Sequence, residues 1–230
     1  MTCVAALSGI SAIARESIPD TIAERTVACA ACHGKEGRAT SEGFFPRIAG
    51  KPADYLYSQL INFRDGRRHY LPMTYMVDHL SDAYLREMAT YFSTLRLPYP
   101  LPQAVAASRA QLQRGQRLVM KGDMTINVPA CIACHGEKLT GVAPSTPGLV
   151  GLPRDYLNAQ FGSWRNKARR TVAPDCMAKI IARLSPEDIA AATAWLASQT
   201  VPTDSAPATS LPGKRPMSCG SISQGRAGQP

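Results

Sequence analysis

Cys29-Ala30-Ala31-Cys32-His33 returns as Cys131-Ile132-Ala133-Cys134-His135, 102 positions further along. The sequence around these pentapeptides repeats as well. Pro46-Arg47-Ile48-Ala49-Gly50 is echoed by Pro147-Gly148-Leu149-Val150-Gly151, and Asp54-Tyr55-Leu56 with Gln59 by Asp155-Tyr156-Leu157 with Gln160. Arg64, Arg67 and Arg68 are echoed by Arg165, Arg169 and Arg170. Met73 lies seven residues before Leu80-Ser81, as Met177 does before Leu184-Ser185. Order survives with shifts of a few residues, which marks duplication of a unit of roughly 100 residues, a common domain size.

The boundaries follow from composition. Leu97-Pro98-Tyr99-Pro100-Leu101-Pro102 has proline at alternate positions, which stiffens a chain and prevents helix. Residues 97–103 are therefore predicted as a linker between a first domain, 15–96, and a second, 104–201. Residues 202–230 are rich in Pro, Ser, Gly and Ala, and are predicted to be a disordered tail. Residues 1–14 end in Ala12-Ile13-Ala14 after a short apolar run, which resembles a truncated signal peptide.

Each half reads as helical. Residues 19–27 and 108–121 are amphipathic, 53–63 and 154–164 form middle helices, and 82–95 and 186–198 are capped by Ser81 and Ser185. Val, Ile and Thr show no sustained alternation, so no significant sheet is expected. No apolar run is long enough to span a membrane.

Cys-x-x-Cys-His is the attachment signature of c-type haem. Two thiols three positions apart on a helical turn reach the two vinyl groups of one porphyrin. The histidine that follows points its imidazole at the iron. The alternatives fit less well: a zinc ribbon places its Cys-x-x-Cys units far closer together, and a thioredoxin-like motif needs a βαβ pattern. The covalent haem sites are therefore Cys29 with Cys32 and Cys131 with Cys134, and the proximal iron ligands His33 and His135. Met73 and Met177 hold equivalent places before a capped helix. A thioether from such a loop would complete His/Met ligation, which raises the reduction potential relative to two histidines. Met76, His69 and His79 compete for the first iron but have no counterpart in the second half. Cys176 adjoins Met177 and is expected to be a small buried residue rather than a ligand.

With 45% hydrophobic residues but only 7% aromatic ones, the chain can bury real cores that something other than large rings fills. The formal charge is +9, and it is uneven. Residues 1–100 hold eleven basic against ten acidic residues, the remainder fifteen against seven. That asymmetry orients a molecule against an acidic partner or anionic membrane face. The basic residues are scattered and no nucleic-acid motif accompanies them, so nucleic acid is excluded as a partner. Of seven cysteines, Cys3, Cys176 and Cys219 lie outside the haem motifs and share no spacing.

With these residues in place, the chain resembles the cytochrome c4 family, dihaem class I c-type cytochromes. The resemblance covers roughly residues 18–200 and is carried by both haem motifs, FPRIAG (45–50), DYLYSQLINFRDGRR (54–68), MTYMVDHLSD (73–82), ATYF (89–92), and RGQRLVMKGD (114–123) before PACIACHG (129–136). It implies an all-α fold of two tandem domains, each wrapped around one covalently attached haem, packed face to face with the haem propionate edges near the interface. It also implies that the carbonyls of Pro46 and Pro147 accept from the proximal imidazoles, and that Arg47, Arg64 and Arg68 pair with propionates. The tail with Cys219 departs from the family pattern; Cys219 is left to pair with Cys3 or Cys176, or to stay free.

The expected function is one-electron transfer in the bacterial periplasm, where thioether attachment takes place, from a quinol-oxidising complex or dehydrogenase to a terminal oxidase. No catalytic constellation accompanies the haem motifs, so no enzymatic activity is expected. A fixed dihaem subunit of a flavoprotein or alcohol-type dehydrogenase is the main alternative. A dihaem peroxidase, which would need one open iron, is the lesser one.

Overall fold

The computed structural model describes residues 19–222 apart from Ser41 and Gln103. The expected signal remnant, 1–14, and Cys3 lie outside the described residues.

The first half contains α1 (Ile22–Arg25), α2 (Val27–His33), α3 (Ala53–Arg64), α4 (Leu71–Val77) and α5 (Asp82–Thr94). The second contains α6 (Arg109–Lys121), α7 (Ile132–His135), α8 (Arg154–Arg165), α9 (Cys176–Ile181) and α10 (Pro186–Ala197). Among the described residues the only sheet is a two-residue antiparallel pair, β1 (Gly141–Val142) with β2 (Thr146–Pro147). The all-α expectation holds.

Local chemistry sets the helix starts. Ser81 Oγ accepts from Tyr84 N at 3.3 Å and Ser108 Oγ from Gln111 N at 3.2 Å. Ser185 and Asp188 exchange hydrogen bonds in a capping box. The helices α3 and α8 both begin after a proline, Pro52 and Pro153, at the same place in the repeat. The helix expected over 19–27 is instead split. Thr26 turns its hydroxyl back onto the carbonyls of Ile22 and Ala23, at 2.9 and 3.0 Å, and the chain restarts as α2. Such back-bonding competes with the helical ladder, which periodicity alone does not register.

Each half closes on its own core. Phe63, Val77, Leu85 and Met88 form one cluster in the first half, and Leu56, Ala89 and Phe92 another. In the second half Leu118, Val128, Ile181, Leu184 and Ile189 pack together, beside Val119, Leu139, Leu157 and Leu196. The helices α6 and α10 approach closely because residue 115 is glycine: a β-carbon there would lie 2.1 Å from the Ala191 carbonyl oxygen.

The linker is pinned to the first half. Arg47, only 2% exposed, donates to the carbonyls of Leu97 and Pro98 and lies 4.0 Å from the Tyr99 ring centroid. The tail expectation is corrected for residues 202–222, and residues 223–230 lie outside the described residues. Residues 202–222 lie along the second half, where Ala208 pairs with Val142 and Cys219 forms a disulfide with Cys176. Its composition lacks core formers, but a covalent link and backbone pairing order it without them.

Candidate haem sites

The helix α2 ends at His33 and α7 at His135, and Gly34 and Gly136, both at positive φ, terminate them. Both imidazoles are then turned inward on matching partners. His33 Nδ1 lies 2.8 Å from the carbonyl oxygen of Pro46, and His135 Nδ1 lies 2.8 Å from that of Pro147. A carbonyl only accepts, so Nδ1 carries the proton and Nε2 keeps a lone pair. Burial pushes the His135 pKa down to about 4 against the opposing pull of the Pro147 carbonyl, and burial lowers that of His33 too. Both rings are neutral near pH 7, the state in which Nε2 can ligate.

Cys29, Cys32, Cys131 and Cys134 are free. Burial raises the thiol pKa of Cys29 and Cys134 and pushes that of Cys131 up to about 12. Among the described residues no three His, Cys, Asp or Glu side chains converge as a metal-ligand set.

Both motifs open on one continuous cavity of about 610 Å³. Met73 and Met177 line it from the side of α4 and α9. Sequence reading expects these methionines on loops; each lies on a short helix instead. Met76 and His69 also line the cavity, whereas His79 is exposed and sits 3.8 Å from Asp78. Cys176 is in a disulfide, which corrects its reading as a plain buried thiol and removes it as a thiolate ligand.

The arginines divide. Arg64 is turned away from the cavity onto Asp82, Asp65 and the Leu80 carbonyl. Arg47 spends its guanidinium on the carbonyls of Ala49, Leu97 and Pro98. Arg47 nevertheless lines the cavity, whereas Arg64 does not. Arg68 does line the cavity, with a partner that sequence reading assigned no role, Arg169. Arg68 donates to Gln59, Gln160 and the Tyr156 hydroxyl, and Arg169 to Gln160, Gln59 and the Tyr55 hydroxyl. The signal was present, since Tyr55, Gln59, Tyr156 and Gln160 belong to the repeat. Arg215 and Lys51 also line the cavity and were not foreseen.

The residues fit a haem in each half. Each half offers two thiols, an imidazole fixed in the ligating tautomer and a thioether within one cavity. Arg68 and Arg169 meet no carboxylate among the described residues, and Arg169 Nε is buried without a hydrogen-bond partner. A buried cation, Arg169, and a half-buried one, Arg68, facing the cavity suit the carboxylates of a porphyrin.

A fold of two helical halves, each presenting Cys-x-x-Cys-His to a shared interior, defines a dihaem c-type cytochrome. No family model matches the chain. Among curated proteins, it is 38% identical over 184 residues to a thiosulfate dehydrogenase electron acceptor of Thiomonas intermedia (strain K12), covering 78% of this chain and 82% of that protein. It is 31% identical over 176 residues to cytochrome c4 of Pseudomonas aeruginosa, covering 75% and 84%. The crystal structure of reduced recombinant cytochrome c4 from Pseudomonas stutzeri superposes with a TM-score of 0.66 at 29% identity, covering 78% of this chain and 97% of that one. The chain belongs to the cytochrome c4 family, whose members carry two covalently bound c-type haems.

Proposed function

We propose that this protein accepts single electrons from a periplasmic dehydrogenase or quinol-oxidising complex and passes them to a terminal oxidase. In this reading residues 15–96 and 104–201 each carry one haem. Cys29 and Cys32 hold the first and Cys131 and Cys134 the second, with His33 and Met73, and His135 and Met177, as axial ligands. The bound haem iron supplies a reversible one-electron couple. The carbonyls of Pro46 and Pro147 orient the imidazoles and raise their basicity. Arg68 and Arg169 neutralise propionates at the seam between the halves.

The observation that carries the reading is the matched pair of inward imidazoles, each 2.8 Å from a proline carbonyl and flanked by two free thiols. With both irons closed by sulfur, the molecule has electron carriage as its role and no catalysis of its own. Periplasmic location rests on the thioether chemistry and on the family. Among the described residues no helix is long and apolar enough to cross a membrane.

A second reading is favoured by one finding. The relative 38% identical to this chain is named an electron acceptor of thiosulfate dehydrogenase, so a sulfur-compound dehydrogenase is the donor to test first. Purified holoprotein should carry two haems by mass and show, when ferric, the weak band at about 695 nm that reports Met–iron bonding. Met73→Ala and Met177→Ala should each remove half of it. An unchanged band in either variant overturns that ligand, and a colourless mature protein overturns the function. Rapid reduction by thiosulfate dehydrogenase, with none by a quinol-oxidising complex, would select the second reading.

A further inference from the structure

Beyond α10 the chain turns back and runs along the second half. Lys138 pairs with Asp204 at 2.8 Å, and Thr140 Oγ1 donates to the Ala206 carbonyl at 3.0 Å. Ala208 then exchanges backbone hydrogen bonds with Gly141 and Ala143, at 2.9 and 2.8 Å. Further along, Arg215 reaches the haem motif itself. Its guanidinium donates to the carbonyl of Cys134 at 3.3 Å and to Thr146 Oγ1 at 3.1 Å. The segment ends against the methionine helix. Gly220 N donates to the Pro174 carbonyl at 3.0 Å, and Cys219 is bonded to Cys176, the residue before Met177.

Among the described residues the first half has nothing comparable. The residue before Met73 is Pro72, which stiffens the start of α4 through its own ring. At the matching place the second half has Cys176, at the start of a six-residue helix that is too short to be stable alone. Asp175 caps that helix by accepting from Ala178 N at 3.0 Å, and the disulfide ties its first turn to the returning segment. The haem motifs differ in the same sense: Cys32 is exposed, whereas Cys134 lies half-buried beneath Arg215. Arg215, Met217, Cys219 and Ile222 line the cavity beside Met177.

We propose that residues 202–222 are a disulfide-anchored strap of the second haem pocket, which positions Met177 through Cys176–Cys219 and closes the Cys131–His135 edge with Arg215. The strap restrains opening of the Met177 side, so an external ligand displaces that sulfur less readily than it otherwise would. The proposal rests on Met177 being an axial ligand, and the test separates the two.

The full-length ferric holoprotein is titrated with imidazole, which competes with methionine for iron, while the band at about 695 nm is followed. In a Cys176→Ser/Cys219→Ser double variant, one half of the band should be lost at an imidazole concentration lower by about tenfold, because the open state is more populated. The other half should titrate as in the parent. Gly220→Ala retains both cysteines but forces a β-carbon to within 2.1 Å of the Ala173 carbonyl oxygen, and should act in the same direction if the double variant does not assemble. Arg215→Gln should lower the reduction potential of one haem and leave the other unchanged. If Met177→Ala removes half the band while the double variant, or Gly220→Ala in its place, titrates like the parent, the strap is overturned. If Met177→Ala leaves the band whole, the ligand assignment has failed instead.

Discussion

Arg68 and Arg169 pair antiparallel across the middle of the molecule, and each donates to both Gln59 and Gln160. They are 101 positions apart, and each donates its backbone N–H to an equivalent carbonyl, Asn62 or Ser163, so the fold aligns Arg68 with Arg169 where the sequence order set it against Arg170. The relation extends outward: Arg68 stands 4.5 Å from the Phe63 ring centroid and Arg169 stands 3.8 Å from that of Trp164, again equivalent positions. Flanking bonds run from His69 N to the Ala168 carbonyl and from Arg170 N to the Arg67 carbonyl, both at 2.7 Å. The duplicated halves thus meet through the same patch on each, as in a two-fold dimer within one chain.

Arg169 is the more buried of the two guanidiniums, so its loss costs more. Arg169→Met keeps much of the volume but leaves Gln59, Gln160 and Tyr55 each short of a donor. The expected cost is about 2–3 kcal/mol, in the range of hydrogen bonds to charged groups. Denaturant unfolding should split into two transitions as the halves uncouple. Arg68→Met should cost less, since Arg68 is only half-buried. Two variants that unfold in one step at the parental midpoint would show that the seam contributes nothing.

Much of this seam was visible as repeated letters and invisible as contact. Tyr55, Gln59, Tyr156 and Gln160 were aligned by the duplication, but a repeat reports only that two residues occupy equivalent places. It does not report that the two places touch. The haem sites were more legible because covalent chemistry confines their residues to five consecutive positions. Arg47 and Arg64 illustrate the opposite case. A basic residue near a haem motif suggests a propionate, but the sequence does not report that Arg64 meets Asp82 at 2.7 Å or that Arg47 meets the linker carbonyls. Long side chains choose among acceptors that only the folded chain assembles. The tail failed for a related reason: composition measures the capacity to form a core, and residues 202–222 dock onto one already formed.

Gly115 lets α6 lie against α10, and among the described residues α1 is a single turn without glycine. Gly115→Ala should therefore damage the second half most. Its β-carbon would meet backbone at Ala191 and the Trp195 side chain, so the helices must part, at a cost of about 1–3 kcal/mol. Thermal unfolding followed at the second haem should move down further than that followed at the first. An unchanged midpoint would mean that α6 shifts freely.

Asp123 supplies the clearest acid-sensitive point. Its carboxylate accepts from Thr125 and from Arg114, which also bonds Asp188. The Thr125 hydroxyl and the Arg114 guanidinium hold the Asp123 pKa below its ordinary value of 3.8. The unfolded chain therefore binds the proton first as pH falls. Stability from this group is present above the unfolded value and is lost as pH drops through the lower folded value. Asp123→Asn should flatten the acid limb of a stability–pH profile for the second half. A profile that keeps the parental slope would assign acid sensitivity elsewhere.

Charge is concentrated in the second half, and Arg117 with Lys121 exposes part of it one turn apart on α6. An acidic redox partner drawn to this face should reduce or oxidise the protein quickly at low ionic strength and more slowly as salt shortens the reach of the field. Arg117→Gln/Lys121→Gln should lower the bimolecular rate by several-fold to about tenfold at low salt and flatten its salt dependence. Lys35→Gln on the near-neutral first half removes one positive charge and should change the rate little. Stopped-flow mixing with an acidic electron donor over a range of salt concentrations measures both. An effect of Lys35→Gln on the logarithm of the rate about half that of the double variant, one charge against two, would mean that net charge alone, rather than its placement on the second half, governs the encounter.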